Sequence, residues 1–173
     1  LADKKKELDA QRAEANKVIQ QIAAAAEETE ATLDEMEAEQ EKIQKEIERL
    51  NRELQAQLAA EGKSNQSNPG GYIWPVDSRY ITSTVGGRAS PGGIGSTNHQ
   101  GTDIGRVGYT SSIYAAKAGT VIVSQRSSSY GEYVVISHGS GNTTLYAHMS
   151  SRKVSVGQYV NQGGVIGITG STG

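Results

Sequence analysis

Cysteine and phenylalanine are both absent from the 173 residues, proline occurs three times and tryptophan once. Without cysteine neither a disulfide framework nor a thiolate metal site can form, so any metal has to be held by histidine and carboxylate. Long apolar runs are missing too. Nothing approaches the roughly 20 residues of a membrane span, and no signal-peptide core is present. The first residue is Leu1 rather than methionine, which reads as a processed or excised piece whose export signal lies upstream. Between Leu1 and Glu61 there is no glycine, proline or aromatic residue at all, whereas all 21 Gly, all 3 Pro, the 8 Tyr and Trp74 fall after that point. So uneven a distribution predicts a domain boundary close to Gly62.

Charge divides at the same place. Residues 1–61 carry 9 Lys and Arg against 16 Asp and Glu, and residues 62–173 carry 8 against 3, so a net of −2 hides an acidic segment and a mildly basic one. The basic residues are scattered and not interleaved with aromatics, which argues against nucleic acid as a partner. "GVIGITGSTG" near the end is Gly-rich but has neither the lysine nor the helix start of a phosphate loop.

Residues 1–61 predict a long helix with a coiled-coil seam. Steps of seven from Leu1 meet Leu8, Ala15, Ile22, Thr29, Met36, Ile43 and Leu50, with Ile19, Ala26, Leu33, Ile47 and Leu54 at companion positions. Two apolar positions per heptad make a narrow stripe, and at 1.5 Å per residue the helix reaches about 90 Å, too long for a small domain to cover. The stripe therefore calls for a partner helix, which could be a second copy, an antiparallel helix upstream of Leu1 or another envelope protein. Lys5, Arg12 and Gln40 interrupt the companion row, which suits a regulated pairing better than a permanent rod.

"EGKSNQSNPGG" reads as a flexible tether, placed at residues 62–71. Beyond it, "YITSTV", "SIYAA", "GTVIVSQ", "EYVVISH", "TTLYAHM" and "GVIGIT" are rich in Val, Ile, Thr and Tyr and are separated by turn clusters, which predicts short antiparallel strands over 72–173. The fold class expected is α+β by content: one long helix, then a mostly antiparallel β domain. Its nine aromatic residues are expected to serve chiefly as core.

Only three histidines occur, His99, His138 and His148. In "HQGTD", Gly101 is expected to let the backbone turn so that His99 and Asp103 converge. By spacing alone such a pair is either a surface hydrogen-bond pair, the commoner case, or two metal donors. Strand alternation in "TTLYAHM" puts Thr144, Tyr146 and His148 on one face and Leu145, Ala147 and Met149 on the other. With the second set in the core, His148 points toward a cleft, where it could accept a proton.

Taken in order, "HQGTDIG", "IYAAKAGTVIVS", "GEYVVISHGSGNTTLYAHMS" and "VSVGQYVNQGGVIGITGSTG" resemble the lysostaphin/LytM-type zinc metalloendopeptidases over about residues 72–173. The resemblance implies a Gly-rich β domain whose groove holds one Zn2+ and which hydrolyses peptides of bacterial cell-wall peptidoglycan, outside the cytoplasm. Residue by residue, His99 and Asp103 match the first two zinc ligands and His148 matches the histidine that assists proton transfer, whereas His138 matches a turn histidine with a structural role. The family's third ligand, the second histidine of a late H-x-H motif, has no counterpart in the sequence, so the chain as it stands is expected to be inactive. The resemblance leaves two functions open. One is a secreted or anchored endopeptidase, of the kind used in cell division, positioned or restrained by its coiled coil. The other is a non-catalytic module that activates another wall hydrolase. The tether also gives the helix the reach to fold back over the groove.

Overall fold

The structure, a computed structural model, describes residues 2–63, 70–87 and 98–172. Helix α1 runs over Ala2–Ala60. On its exposed side Lys45 pairs with Glu41, and Arg49 bridges Glu46 and Glu53, all at the three- or four-residue spacing that brings helix side chains together. The helix closes at Gly62. Gly62 has φ 66°, Lys63 N–H donates to Leu58 O at 2.9 Å, and Gly62 N–H donates to Ala59 O at 3.1 Å. This is the paired closure of a Schellman motif, and it needs the left-handed backbone that glycine adopts at least cost. Most of the predicted tether, residues 64–69, lies outside the described residues.

Among the described residues eleven strands follow, and every pairing between them is antiparallel. The largest sheet has the order β10 (Tyr159–Val160), β6 (Gly119–Ser127), β7 (Gly131–Gly139), β8 (Asn142–Met149). A second sheet is ordered β5 (Ser112–Tyr114), β11 (Val165–Ile168), β9 (Ser151–Arg152). Two short ribbons complete the set: β1 (Tyr80–Ser83) with β4 (Asp103–Gly105), and β2 (Gly86–Gly87) with β3 (Asn98–His99).

Strand β7 is buried on both faces, as its unbroken run of Val, Ile and Tyr leads one to expect. On one face Val134 and Ile136 join Val121, Tyr146, Met149 and Ile166 in the main core. On the other, Tyr133 and Val135 meet Ile122, Val123 and, from the helix, Ile47, with Ile43, Leu50 and Leu54 packed around it. Over its last two heptads the helical seam thus takes a β-sheet as its partner instead of a second helix. Ile47 is only 3% exposed, and burying such a side chain is worth about 1.5–3 kcal/mol. Asn51 adds a buried bond, accepting from Ser137 Oγ at 2.6 Å. Farther up the helix Val18, Ile19 and Ile22 stay exposed.

Two expectations are corrected by packing. A bulge in β8 breaks the alternation: Glu132 faces Met149 while Val134 faces Tyr146. Leu145 and Ala147 therefore turn toward the helix, but Met149 returns to the core beside Tyr146. Nor are the aromatics chiefly core. Tyr133 and Tyr146 are buried, whereas Tyr72, Trp74, Tyr80, Tyr109 and Tyr159 are exposed, because Val, Ile and Ala already fill the narrow space between the sheets. Three of the exposed rings carry a cation on their faces: Arg79 on Trp74, Arg106 on Tyr80 and Lys117 on Tyr72.

Candidate functional site

The three histidines share one device. Each offers Nδ1 to a backbone carbonyl: His99 to Thr84 O at 3.1 Å, His138 to Ala118 O at 2.9 Å, His148 to Thr172 O at 2.7 Å. A carbonyl only accepts, so in each ring Nδ1 carries the proton and Nε2 of the neutral form keeps its lone pair. What that lone pair meets separates their roles.

For His138 it faces a hydroxyl. Nε2 lies 2.8 Å from Thr144 Oγ1, which lies 2.8 Å from Tyr146 Oη, and Tyr146 in turn accepts from Ala116 N–H at 2.8 Å. Thr144 donates to Tyr146 Oη, so ring, threonine and tyrosine form one polar chain in which each group has a partner. His138 is 2% exposed, and burial, with a contribution from Lys117, pushes its pKa below the usual 6.5. The linkage sign follows. Protons then bind the unfolded chain in preference to the folded one, so stability is full above pH 6.5 and declines as pH falls below it. His138→Gln is expected to lower the melting temperature at neutral pH while flattening its decline between neutral and acidic pH, which calorimetry across that range checks.

For His99 the lone pair faces a carboxylate. Nε2 stands 3.1 Å from Asp103 Oδ1, with the histidine side chain 16% and the aspartate 48% exposed. Convergence of the two, expected from their spacing, is therefore present. The expected cause is not: Gly101 is outside the left-handed region, and a Cβ there would meet nothing within 4 Å. Pairing does the positioning instead, since β3 pairs with β2 and puts His99 opposite Gly86, and β4 pairs with β1 and puts Asp103 opposite Ser83. Ser83 Oγ, 3.3 Å from His99 Nδ1, adds a second polar neighbour to the ring.

With Nδ1 protonated by its carbonyl contact, Nε2 and Oδ1 are two acceptors aimed at each other. Such an approach is repulsive until a positive charge lies between them, either a second proton on the ring or a cation. Two atoms ligating one tetrahedral ion at 2.0–2.2 Å stand roughly 3.3–3.5 Å apart, close to what is seen here, and a carbonyl on the far ring nitrogen is the usual outer partner of a ligating histidine. The donors present thus fit two positions of a metal site. Among the described residues no third His, Asp or Glu joins them.

His148 lies on β8 with φ 56° and an exposed side chain, and among the described residues it makes no hydrogen bond to His99 or Asp103. Among the described residues nothing hydrogen-bonds to its Nε2. The supporting carbonyls of Thr84 and Thr172 carry no signal in the sequence, because any residue supplies a carbonyl and only the fold aims it.

Residues 97–173 match the family described as Peptidase family M23. Over 109 residues, 58% of this chain and 24% of the relative, the sequence is 35% identical to Peptidoglycan DD-endopeptidase ShyA of Vibrio cholerae. Among solved structures, a zinc containing peptidase from Vibrio cholerae superposes with a TM-score of 0.54 at 32% identity, covering 60% of this chain and 33% of that one. The catalytic domain of the prophage-encoded M23 protein EnpA from Enterococcus faecalis, in a mutant form, gives a TM-score of 0.50 at 31% identity, over 60% of this chain and 78% of that one. The chain spans about a quarter of the length of the curated relatives it matches.

Proposed function

Because residues 97–173 make this chain a member of peptidase family M23, we propose that it is a zinc-dependent endopeptidase of bacterial peptidoglycan, with His99 and Asp103 as two of the ligands and His148 as the proton-transfer group. The observation that carries the reading is the convergence of His99 Nε2 and Asp103 Oδ1 at 3.1 Å, with the far ring nitrogen held by a carbonyl, an arrangement that a cation between the two would stabilise. The neighbour titled a zinc containing peptidase supports zinc as that cation, and the relative named a peptidoglycan DD-endopeptidase supports a wall peptide as substrate. Residues 72–173 belong to the peptidase domain, tethered by 62–71 to the helix of 1–61. Work on the wall puts the protein outside the cytoplasm, and no described helix is long and apolar enough to cross a membrane.

When bound, the metal supplies a Lewis acid for the scissile carbonyl and a water acidic enough to ionise near neutral pH. The protein's own groups do the rest. The Thr84 carbonyl holds the His99 ring in the tautomer that presents Nε2, and the basic balance of residues 62–173 favours an anionic polymer. His148, with Nδ1–H tied to Thr172, can take a proton at Nε2 and return it to the departing amine. A catalytic zinc takes three protein ligands. In this reading the third is the histidine that the family carries in its late H-x-H motif. The exposed Val18, Ile19 and Ile22 are where the helix would pair with a second copy or another envelope protein.

Finding two donors and not three among the described residues favours a second reading, a module that activates another wall hydrolase. Metal analysis and wall digestion on the full-length protein separate the two. The enzyme binds about one zinc per chain, stops releasing peptides when a chelator removes it, and recovers when zinc is returned. A full-length protein that releases nothing with zinc present, yet accelerates a second hydrolase, is the activator.

A further inference from the structure

Where α1 passes the turn between β6 and β7, Glu39 reaches out of the helix. Its carboxylate accepts from Ser128 Oγ–H at 2.7 Å, from Ser129 N–H at 2.8 Å and, more weakly, from Ser128 N–H at 3.4 Å. The Ser128 hydroxyl bond in particular holds the Glu39 carboxyl below its ordinary range. The turn runs on into Tyr130, which is held at three points. Its N–H donates to Ser127 Oγ at 3.0 Å, its ring lies against Tyr133 with centroids 5.6 Å apart, and its carbonyl accepts the backbone N–H of His148 at 2.8 Å.

That last bond matters because of the conformation at its other end. His148 has φ 56°, a left-handed backbone that is unfavourable for a residue with a side chain and persists only where the surroundings impose it. The bulge in β8 provides the opening, and the Tyr130 carbonyl provides the anchor. Ala147, immediately before the strained residue, packs in the same cluster as Tyr130 and the helix residues Ile43 and Ile47. Two routes, one polar and one apolar, therefore lead from the helix to the backbone of this histidine.

We propose that Glu39 is a positioning residue for His148: by clamping the 127–130 turn, the helix fixes the Tyr130 carbonyl and with it the left-handed backbone that aims the histidine ring. The proposal rests on the reading of His148 as the proton-transfer group. It makes the docked part of α1 a support of the catalytic machinery, not a cover over it, so that lifting this part of the helix off the sheet lowers activity.

Hydrogen exchange of individual backbone amides in the full chain, followed by NMR, tests it without recourse to activity. Glu39→Ala and Glu39→Gln are expected to speed exchange of the His148 amide about tenfold, roughly what one net backbone hydrogen bond protects, while the Val134 and Ile136 amides keep their rates. Asn51→Ala, which removes a helix-to-sheet bond remote from the turn, is expected to leave the His148 amide alone. Equal acceleration by Asn51→Ala, or none by either Glu39 variant, overturns the proposal. In the zinc-loaded full-length protein, Glu39→Gln is expected to lower kcat about 5–10-fold with KM and zinc content unchanged, and to cost nothing further in a His148→Ala background. A full additional loss in that background also overturns it. Should His148→Ala itself retain full activity, the role assigned to His148 fails, and the exchange result shows separately whether the clamp exists.

Discussion

His99→Ala in the full-length protein is expected to lose its zinc and, with it, at least about a thousandfold in the rate of wall digestion. The substitution takes away Nε2, one of the two donors that converge at 3.1 Å, and leaves Asp103 as a half-exposed carboxylate on a short strand. A single carboxylate of that kind binds zinc no better than many others on a protein surface. Each factor of ten in rate is about 1.4 kcal/mol of barrier, so the loss amounts to roughly 4 kcal/mol, in the range that a bound metal contributes to polarising a carbonyl and its water. Folding should be nearly untouched, because His99 sits on a two-residue strand outside both hydrophobic clusters. Ser83→Ala is the matched control: its hydroxyl, 3.3 Å from Nδ1, steadies the ring without ligating, and its removal should cost no more than about tenfold in metal affinity. Metal analysis, digestion assays and a melting curve on each variant decide the matter. A His99→Ala protein that keeps both its zinc and its activity would refute the assignment of this centre.

Gly119→Ala should have the largest effect on stability, about 3 kcal/mol or more. Gly119 opens β6 beside the buried residues Ile136, Ser137 and His138 of β7. A methyl group there would overlap the Ser137 carbonyl and stand 2.8 Å from Ile136 Cγ2 and 2.9 Å from His138 Nδ1. Ser137, Ile136 and His138 are all buried, and none is the loose end of a flexible side chain. Relief would require moving the backbone that pairs Thr120 with Ser137, or pushing His138 off the Ala118 carbonyl. Overpacking of ordinary cores costs about 1–3 kcal/mol, and a clash with paired backbone belongs at or beyond the upper end. Gly101→Ala is the comparison, with open space around it, and should change stability by no more than about 0.5 kcal/mol. Urea titration of the two variants reads the difference. A Gly119→Ala protein with an unchanged midpoint would mean that the β6–β7 packing described above is wrong.

Much of the architecture was legible from residue pattern. The missing glycine and proline before Gly62, followed by Val, Ile and Thr in short runs, locate the helix, its end and the six main strands, because backbone preference and hydrophobic period are local properties. The pairing of His99 with Asp103 was legible as a spacing, although its cause lies in β1 and β2, not in Gly101. Along the strand bearing His148 the alternation holds from Thr144 to Ala147, but Tyr146, expected on the cleft face, lies in the main core and Met149 joins it there. A bulge is invited by the partner strand and turn, which alternation within one strand does not register.

The helix shows the division most clearly. A stripe of Ile43, Ile47, Leu50 and Leu54 states that something apolar must cover it, but burial of oily surface is non-directional and does not say whether the cover is a helix or a sheet. Only the tertiary structure, which leaves the Tyr133 and Val135 face of β7 open on that side, supplies the answer. The same holds for the polar contacts. Thr84, Thr172 and Tyr130 act through backbone carbonyls that every residue possesses, and Glu39 is one of 16 acidic residues in its segment. The chain by itself determined the element types and the end of the helix. Which groups meet was decided in three dimensions, because long-range contacts depend on how the whole chain packs and not on the identity of any one residue.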